Sequence, residues 1–217
     1  MHILGNIHLK SPKRELFFNV SFDSLAFTKL PYVVYMNEER SHGEQMISLI
    51  DNFMQSDSDY FLNFEEDHFC VLQDKSIFDS IMQKATEFNV DVVRISFHSV
   101  ELACAKAAPA IYEDELVKII RMTPEHFEKF CIPFKRFYLG TNCIFKVGYA
   151  KRFFSRIGQR PHDYELRHYQ SDMEYTCLVP KVEILRPIDD DHGAENTCCL
   201  KNPTELFTQL YNKYKKQ

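Results

Sequence analysis

An apolar run that ends in acid constrains this chain more than any other feature. In Asp59-Tyr-Phe-Leu-Asn-Phe-Glu-Glu-Asp-His68, the apolar residues Tyr60, Phe61, Leu62 and Phe64 lead into three consecutive carboxylates, Glu65, Glu66 and Asp67. Aromatic and aliphatic residues favour a buried, pleated strand. An unpaired charge inside such a strand is costly, so the strand is expected to stop at the acids and carry them at its C-terminal edge. In open α/β sheets that edge is where ligands bind. Carboxylates gathered there can hold a hard divalent cation, which in turn can hold phosphate oxygens. The other reading of the same triplet is a solvated acidic turn.

The residues around this run decide what kind of sheet it belongs to. Strands are expected over 2–9, 31–36, 60–64 and 90–97, and helices over 15–27, 44–55 and 76–88, with a polar break at 10–14 punctuated by Pro12. Strands alternating with helices of this length predict βαβ units and a mostly parallel sheet. The second half is less regular. Residues 101–111 are ambiguous and 124–130 suggest a short helix. A strand is expected over 137–147, broken at Gly140-Thr-Asn142, followed by helices over 149–157 and 162–175. A late strand at 181–185, a loop at 189–193 and a terminal helix at 204–214 complete the reading. With 217 residues, one domain is expected over 1–217.

Composition excludes several classes. The net charge is -5 and there is no long basic run, so nucleic-acid binding is not indicated. No apolar stretch is long enough to span a bilayer. The N-terminus lacks the pattern of a signal peptide, and a cytoplasmic protein is expected. The seven cysteines include no CxxC pair and are expected to be reduced, mostly buried thiols.

Three further segments carry candidate chemistry. In Asp189-Asp-Asp-His192-Gly193, His192 is of a type that ligates manganese or zinc, although the segment also reads as a charged surface loop. In His162-Asp-Tyr-Glu165, Asp163 suits a helix start and Glu165 is of a type that serves as a general base, while plain capping explains the same residues. Lys10, Lys13 and Arg14 after the first strand can face a phosphate, or can form a solvated basic turn. The glycine patterns of a P-loop, a dinucleotide fingerprint and a nucleophile elbow are all missing.

With these residues placed, the chain resembles nucleotide-sugar glycosyltransferases of the GT-A fold. The first hundred residues are similar to that family's nucleotide-binding half, and residues 101–217 would form the acceptor half. Glu65-Glu-Asp67 looks like the strand-ending DxD signature in an E-x-D form. Gly140-Thr-Asn-Cys-Ile-Phe145 is similar to the acceptor-side segment, and Asp191-His-Gly193 resembles the C-terminal histidine that completes the metal site.

The resemblance implies a three-layer αβα sandwich and a metal-dependent, inverting transfer of a sugar from a UDP-linked donor to a glycan hydroxyl. Asp67 would be the principal ligand for Mn²⁺ or Mg²⁺, with Glu65 and His192 assisting and Glu66 pointing away. His8, Lys10, Asn37 and Glu38 would lie near the nucleoside, and Arg14 near phosphate. Arg94, His98 and Asn142 are candidates for selecting the sugar. Glu165, or Asp163 as its close alternative, would be the base. Two other readings stay open at this point: a sugar-phosphate nucleotidyltransferase, disfavoured by the glycine-free loop at 10–14, and a binding domain without catalysis.

Overall fold

The computed structural model describes residues 2–7, 12–36, 51, 58–95, 107–126, 142–154, 174–189 and 198–216. Ten strands are found among them: β1 His2–Ile7, β2 Tyr32–Met36, β3 Tyr60–Glu65, β4 His68–Cys70, β5 Val92–Arg94, β6 Ala110–Glu113, β7 Val117–Met122, β8 Cys143–Lys146, β9 Tyr175–Pro180 and β10 Leu185–Pro187. The longer helices are α1 Pro12–Ser24, α2 Lys75–Glu87, α3 Val147–Phe154 and α4 Glu205–Lys215. No helix among the described residues is long and apolar enough to cross a membrane.

Eight strands form one sheet in the order β2-β1-β3-β8-β5-β9-β7-β6, and β4 and β10 form a second ladder. β1 pairs in parallel with both β2 and β3, and β5 pairs in parallel with β9. β8 runs antiparallel between β3 and β5, and β7 runs antiparallel between β9 and β6. With β7 and β8 reversed, six of the eight strands share one direction. The sheet is thus mostly parallel in direction, as the first hundred residues imply. β8 draws a strand of the second half into the middle of the first.

Burial follows the pleat of β3. Tyr60, Leu62 and Phe64 join one core cluster with Phe78, Ile81 and Ala85 of α2. Phe61 faces the other way and packs on Phe145 of β8 at 5.6 Å between ring centroids. A second cluster joins Phe17 and Val20 of α1 to Phe69, Ile188, Cys199 and Phe207 of α4. Asp74 caps α2 by accepting the Ser76 and Ile77 N–H groups, and Thr204 caps α4 through the Phe207 N–H. Cys70, Cys143, Cys177, Cys198 and Cys199 are buried thiols outside any disulfide. Burial pushes the Cys70 and Cys199 thiols up to about 12, which suits packing and not nucleophilic chemistry.

Three expectations change. α1 starts at Pro12, a turn before the expected start at residue 15, because the proline's fixed φ and missing N–H suit the first helical position. Residues 175–180 are strand β9, where a helix reaching residue 175 was expected. The strand expected at 181–185 gives way to a turn and then β10. Tyr175-Thr-Cys-Leu-Val179 is aromatic and β-branched, and it fills the slot between β5 and β7. The β6–β7 hairpin was not anticipated. Asp114 closes it by accepting the Leu116 and Val117 N–H groups, each at 2.8 Å.

Tyr60 ties β3 to the end of α2, its hydroxyl lying 2.8 Å from the Val90 carbonyl and 3.0 Å from that of Ala85. Burial first, then Asp91 and Asp59, push this phenol up to about 12. Removing it in Tyr60→Phe is expected to cost about 1 kcal/mol in urea denaturation. The folded phenol holds its proton more tightly than the unfolded one. Wild-type stability therefore falls as pH rises from 10.0 toward about 12, and Tyr60→Phe should lose that fall.

Candidate active site

β3 ends at Glu65, and Glu66-Asp67 turns the chain back into β4. The strand therefore stops after the first acid, but Glu66 and Asp67 do not enter water. Glu66, Asp67 and His68 are buried, at 3%, 5% and 4% exposure. The first turn of α1 supplies the compensating charge. Arg14 Nη1 donates to Glu66 Oε1 at 2.8 Å and lies 3.4 Å from Asp67 Oδ2. Glu66, expected to point away from a metal site, is thus buried against Arg14.

Two serines on the buried face of α1 complete the join. Ser21 donates to the Glu66 carbonyl at 2.7 Å, and Ser24 accepts the Cys70 N–H at 2.9 Å. Polar residues at i and i+3 on an otherwise apolar helix face were the available sequence signal for this contact.

Burial raises the Glu66 carboxyl above its ordinary 4.5, and Asp67 adds to the rise while Arg14 opposes it. Burial lowers the Arg14 guanidinium, but Glu66, Asp67 and Asp189 together outweigh it and the net direction is up. The cluster keeps its arginine charged.

The second acidic segment arrives beside the first. β10 pairs antiparallel with β4, setting Pro187 opposite His68 and Arg186 opposite Phe69. Ile188 N–H then donates to the Asp67 carbonyl at 2.8 Å, and Asp189 pairs with Lys13 at 2.8 Å. Asp189, the first residue of the second acidic segment, therefore lies with the Glu66-Asp67 turn at the N-terminus of α1, more than 120 residues away in sequence. Asn142 and Arg94 lie at the same edge of the sheet. Asn142 precedes β8 with a left-handed φ of 52° and has Nδ2 3.1 Å from His68 Nδ1. Arg94 ends β5 opposite Cys143 and is buried.

Of the expected site residues, Arg14, Asp67 and Asn142 are brought together. Glu65 ends β3, with only its backbone described. His8, Lys10, Asn37, Glu38, His98, Asp163, Glu165 and His192 lie outside the described residues. Among the described residues no three His, Cys, Asp or Glu side chains converge as a metal cluster. Asp67 by itself fits a ligand. A metal-binding carboxylate is normally held by hydrogen bonds, and Asp67 is held by His68 at Oδ1, 2.6 Å away, and by Arg14 near Oδ2. His68 was not among the expected site residues, although it directly follows the acids in sequence.

Arg14→Ala leaves two buried carboxylates without their cation. It is expected to cost about 2 kcal/mol in denaturant unfolding, below a fully enclosed pair because Arg14 keeps 39% exposure. Adding Glu66→Gln should recover part of the loss. A raised folded-state carboxyl makes stability fall as pH rises through 4.5 toward the folded value. That fall should extend to higher pH in Arg14→Ala and flatten in Glu66→Gln.

No protein-family model matches the chain, and no curated protein does. Among solved structures, Staphylococcus aureus TarS residues 1–349 aligns with a TM-score of 0.53 at 10% identity, covering 85% of this chain and 59% of that one. TarS 1–349 in complex with UDP-GlcNAc aligns with a TM-score of 0.50 at 12% identity, covering 85% and 57%. The chain thus spans less than three fifths of these TarS structures. The likeness is one of fold: the mixed sheet with the acidic turn at the carboxyl end of β3 is a GT-A-like α/β fold.

Proposed function

We propose that this chain is a glycosyltransferase that moves a sugar from a nucleoside diphosphate donor, with UDP as the expected nucleotide, to a hydroxyl of a glycan acceptor. The observation that carries the reading is the β4–β10 ladder. It brings the acidic turn and the Asp189 segment together at the carboxyl edge of the sheet, beside the basic first turn of α1. The fold likeness to a protein crystallised with UDP-GlcNAc supports it.

In this reading Asp67 holds Mn²⁺ or Mg²⁺, with Glu65 and His192 as its further ligands. The bound cation supplies charge that stabilises the departing diphosphate. Arg14 and Lys13 add positive charge on the same side. His8, Lys10, Asn37 and Glu38 are assigned to the nucleoside side of the donor, and Asn142 to the sugar side. Glu165, with Asp163 as the alternative, accepts the proton of the acceptor hydroxyl. The acceptor oxygen then forms its bond to the anomeric carbon, the bond from that carbon to the diphosphate oxygen breaks, and the configuration inverts.

Titration calorimetry is expected to show UDP binding that requires Mn²⁺ and is lost in Asp67→Asn. Absence of nucleoside diphosphate binding with and without metal would overturn the reading. Glu165→Gln is expected to keep UDP binding and to slow sugar transfer about 10²- to 10⁴-fold. An unchanged transfer rate would move the base to Asp163 or elsewhere.

A further inference from the structure

We infer that His68 is a positioning residue for the Asp67 carboxylate, and that Asn142 fixes the orientation of His68. The inference rests on the reading of Asp67 as the cation-holding acid.

His68 opens β4 directly after the acidic turn, with its ring buried. His68 Nδ1 lies 2.6 Å from Asp67 Oδ1. A separation this short fits a charge-assisted bond in which the ring N–H donates to the carboxylate. An Nδ1 that carries this proton has no lone pair for a second donor. Asn142 Nδ2 is set 3.1 Å from the same nitrogen, where two N–H groups would oppose each other. Turning the amide by half a turn exchanges its oxygen and nitrogen without changing its shape. The amide oxygen then shares the Nδ1 proton, and the Nδ1–H tautomer is assigned.

The anchor for this arrangement is rigid. Asn142 is 1% exposed and adopts the left-handed conformation that asparagine tolerates. It directly precedes β8, whose register against β3 is fixed by the pairs Leu62↔Ile144 and Phe61↔Phe145. The amide therefore approaches His68 from the opposite half of the chain at a position set by the sheet. Asp67 is held on its other flank by Arg14, and its carbonyl accepts the Ile188 N–H. With Oδ1 bound to His68, the carboxylate cannot rotate freely, and a cation meets an oxygen of fixed direction. Partners of this kind orient metal ligands and tune their affinity.

The test compares His68→Asn and His68→Gln. The shorter amide side chain of the first variant places an N–H near the position of Nδ1, whereas the glutamine amide lies one bond further out. Calorimetry with UDP and MnCl₂ is expected to show near wild-type affinity for His68→Asn. For His68→Gln it should show a loss of about 10- to 100-fold, with both variants melting at similar temperatures. Equal affinities in the two variants, or wild-type affinity in His68→Gln, would overturn the positioning role. A second readout needs no ligand: ¹⁵N shifts of the wild-type ring should report the Nδ1–H tautomer, and an Nε2–H tautomer would overturn the assignment. Wild-type protein that binds no UDP under any condition, yet shows the Nδ1–H tautomer, would leave the hydrogen-bond assignment standing and remove the site reading alone.

Discussion

Two adjacent carboxylates, Glu66 and Asp67, lie almost wholly out of water at the end of a buried strand, and the surrounding structure is organised to offset their desolvation. One cation alone does not do this. Arg14 reaches both acids and His68 holds the far oxygen of Asp67, while Ser21 and the Ile188 N–H fix the backbone of the turn by donating to the Glu66 and Asp67 carbonyls. These partners come from separate elements: β4, the end of β10, and the N-terminal and middle turns of α1. The site and the packing of α1 against the second ladder are one constraint.

That constraint explains why α1 is less apolar on its buried face than a core helix would be. Phe17 and Val20 pack against Phe69 and Phe207, but Ser21 faces the acidic turn and Ser24 faces the end of β4. The far end of α1 is tied to α4 by Asp23, whose carboxylate accepts from Tyr214 and Lys213. Burial works against the Asp23 carboxylate, yet these two donors hold it below its ordinary 3.8. The helix that carries Arg14 is thus fixed at both ends, which keeps the guanidinium in register with the turn.

The edge of the sheet gains chemical variety because the strands that meet there are not sequential. β8 enters between β3 and β5 from the second half of the chain, and it sets Asn142 and Cys143 among residues of the first half. A strictly sequential parallel sheet would keep the residues of the two halves of the chain apart. The antiparallel insertion places Asn142 against His68 and Arg94 against Cys143.

The sequence by itself determined the elements whose signal is local. The run from Tyr60 to Phe64, the helix over Lys75–Glu87 and the terminal helix over Glu205–Lys215 all carry a strong apolar period or a side-chain cap, and they appear where that period puts them. It also determined that the acids end β3, since charge and burial are incompatible without partners. Only the tertiary structure decided who those partners are. The Arg14–Glu66 pair spans 52 residues and the Asn142–His68 contact 74, and no periodicity encodes such separations. β9 was hidden for a related reason. A strand buried on both faces has no alternation to display, and its identity comes from the two neighbours that hydrogen-bond to it.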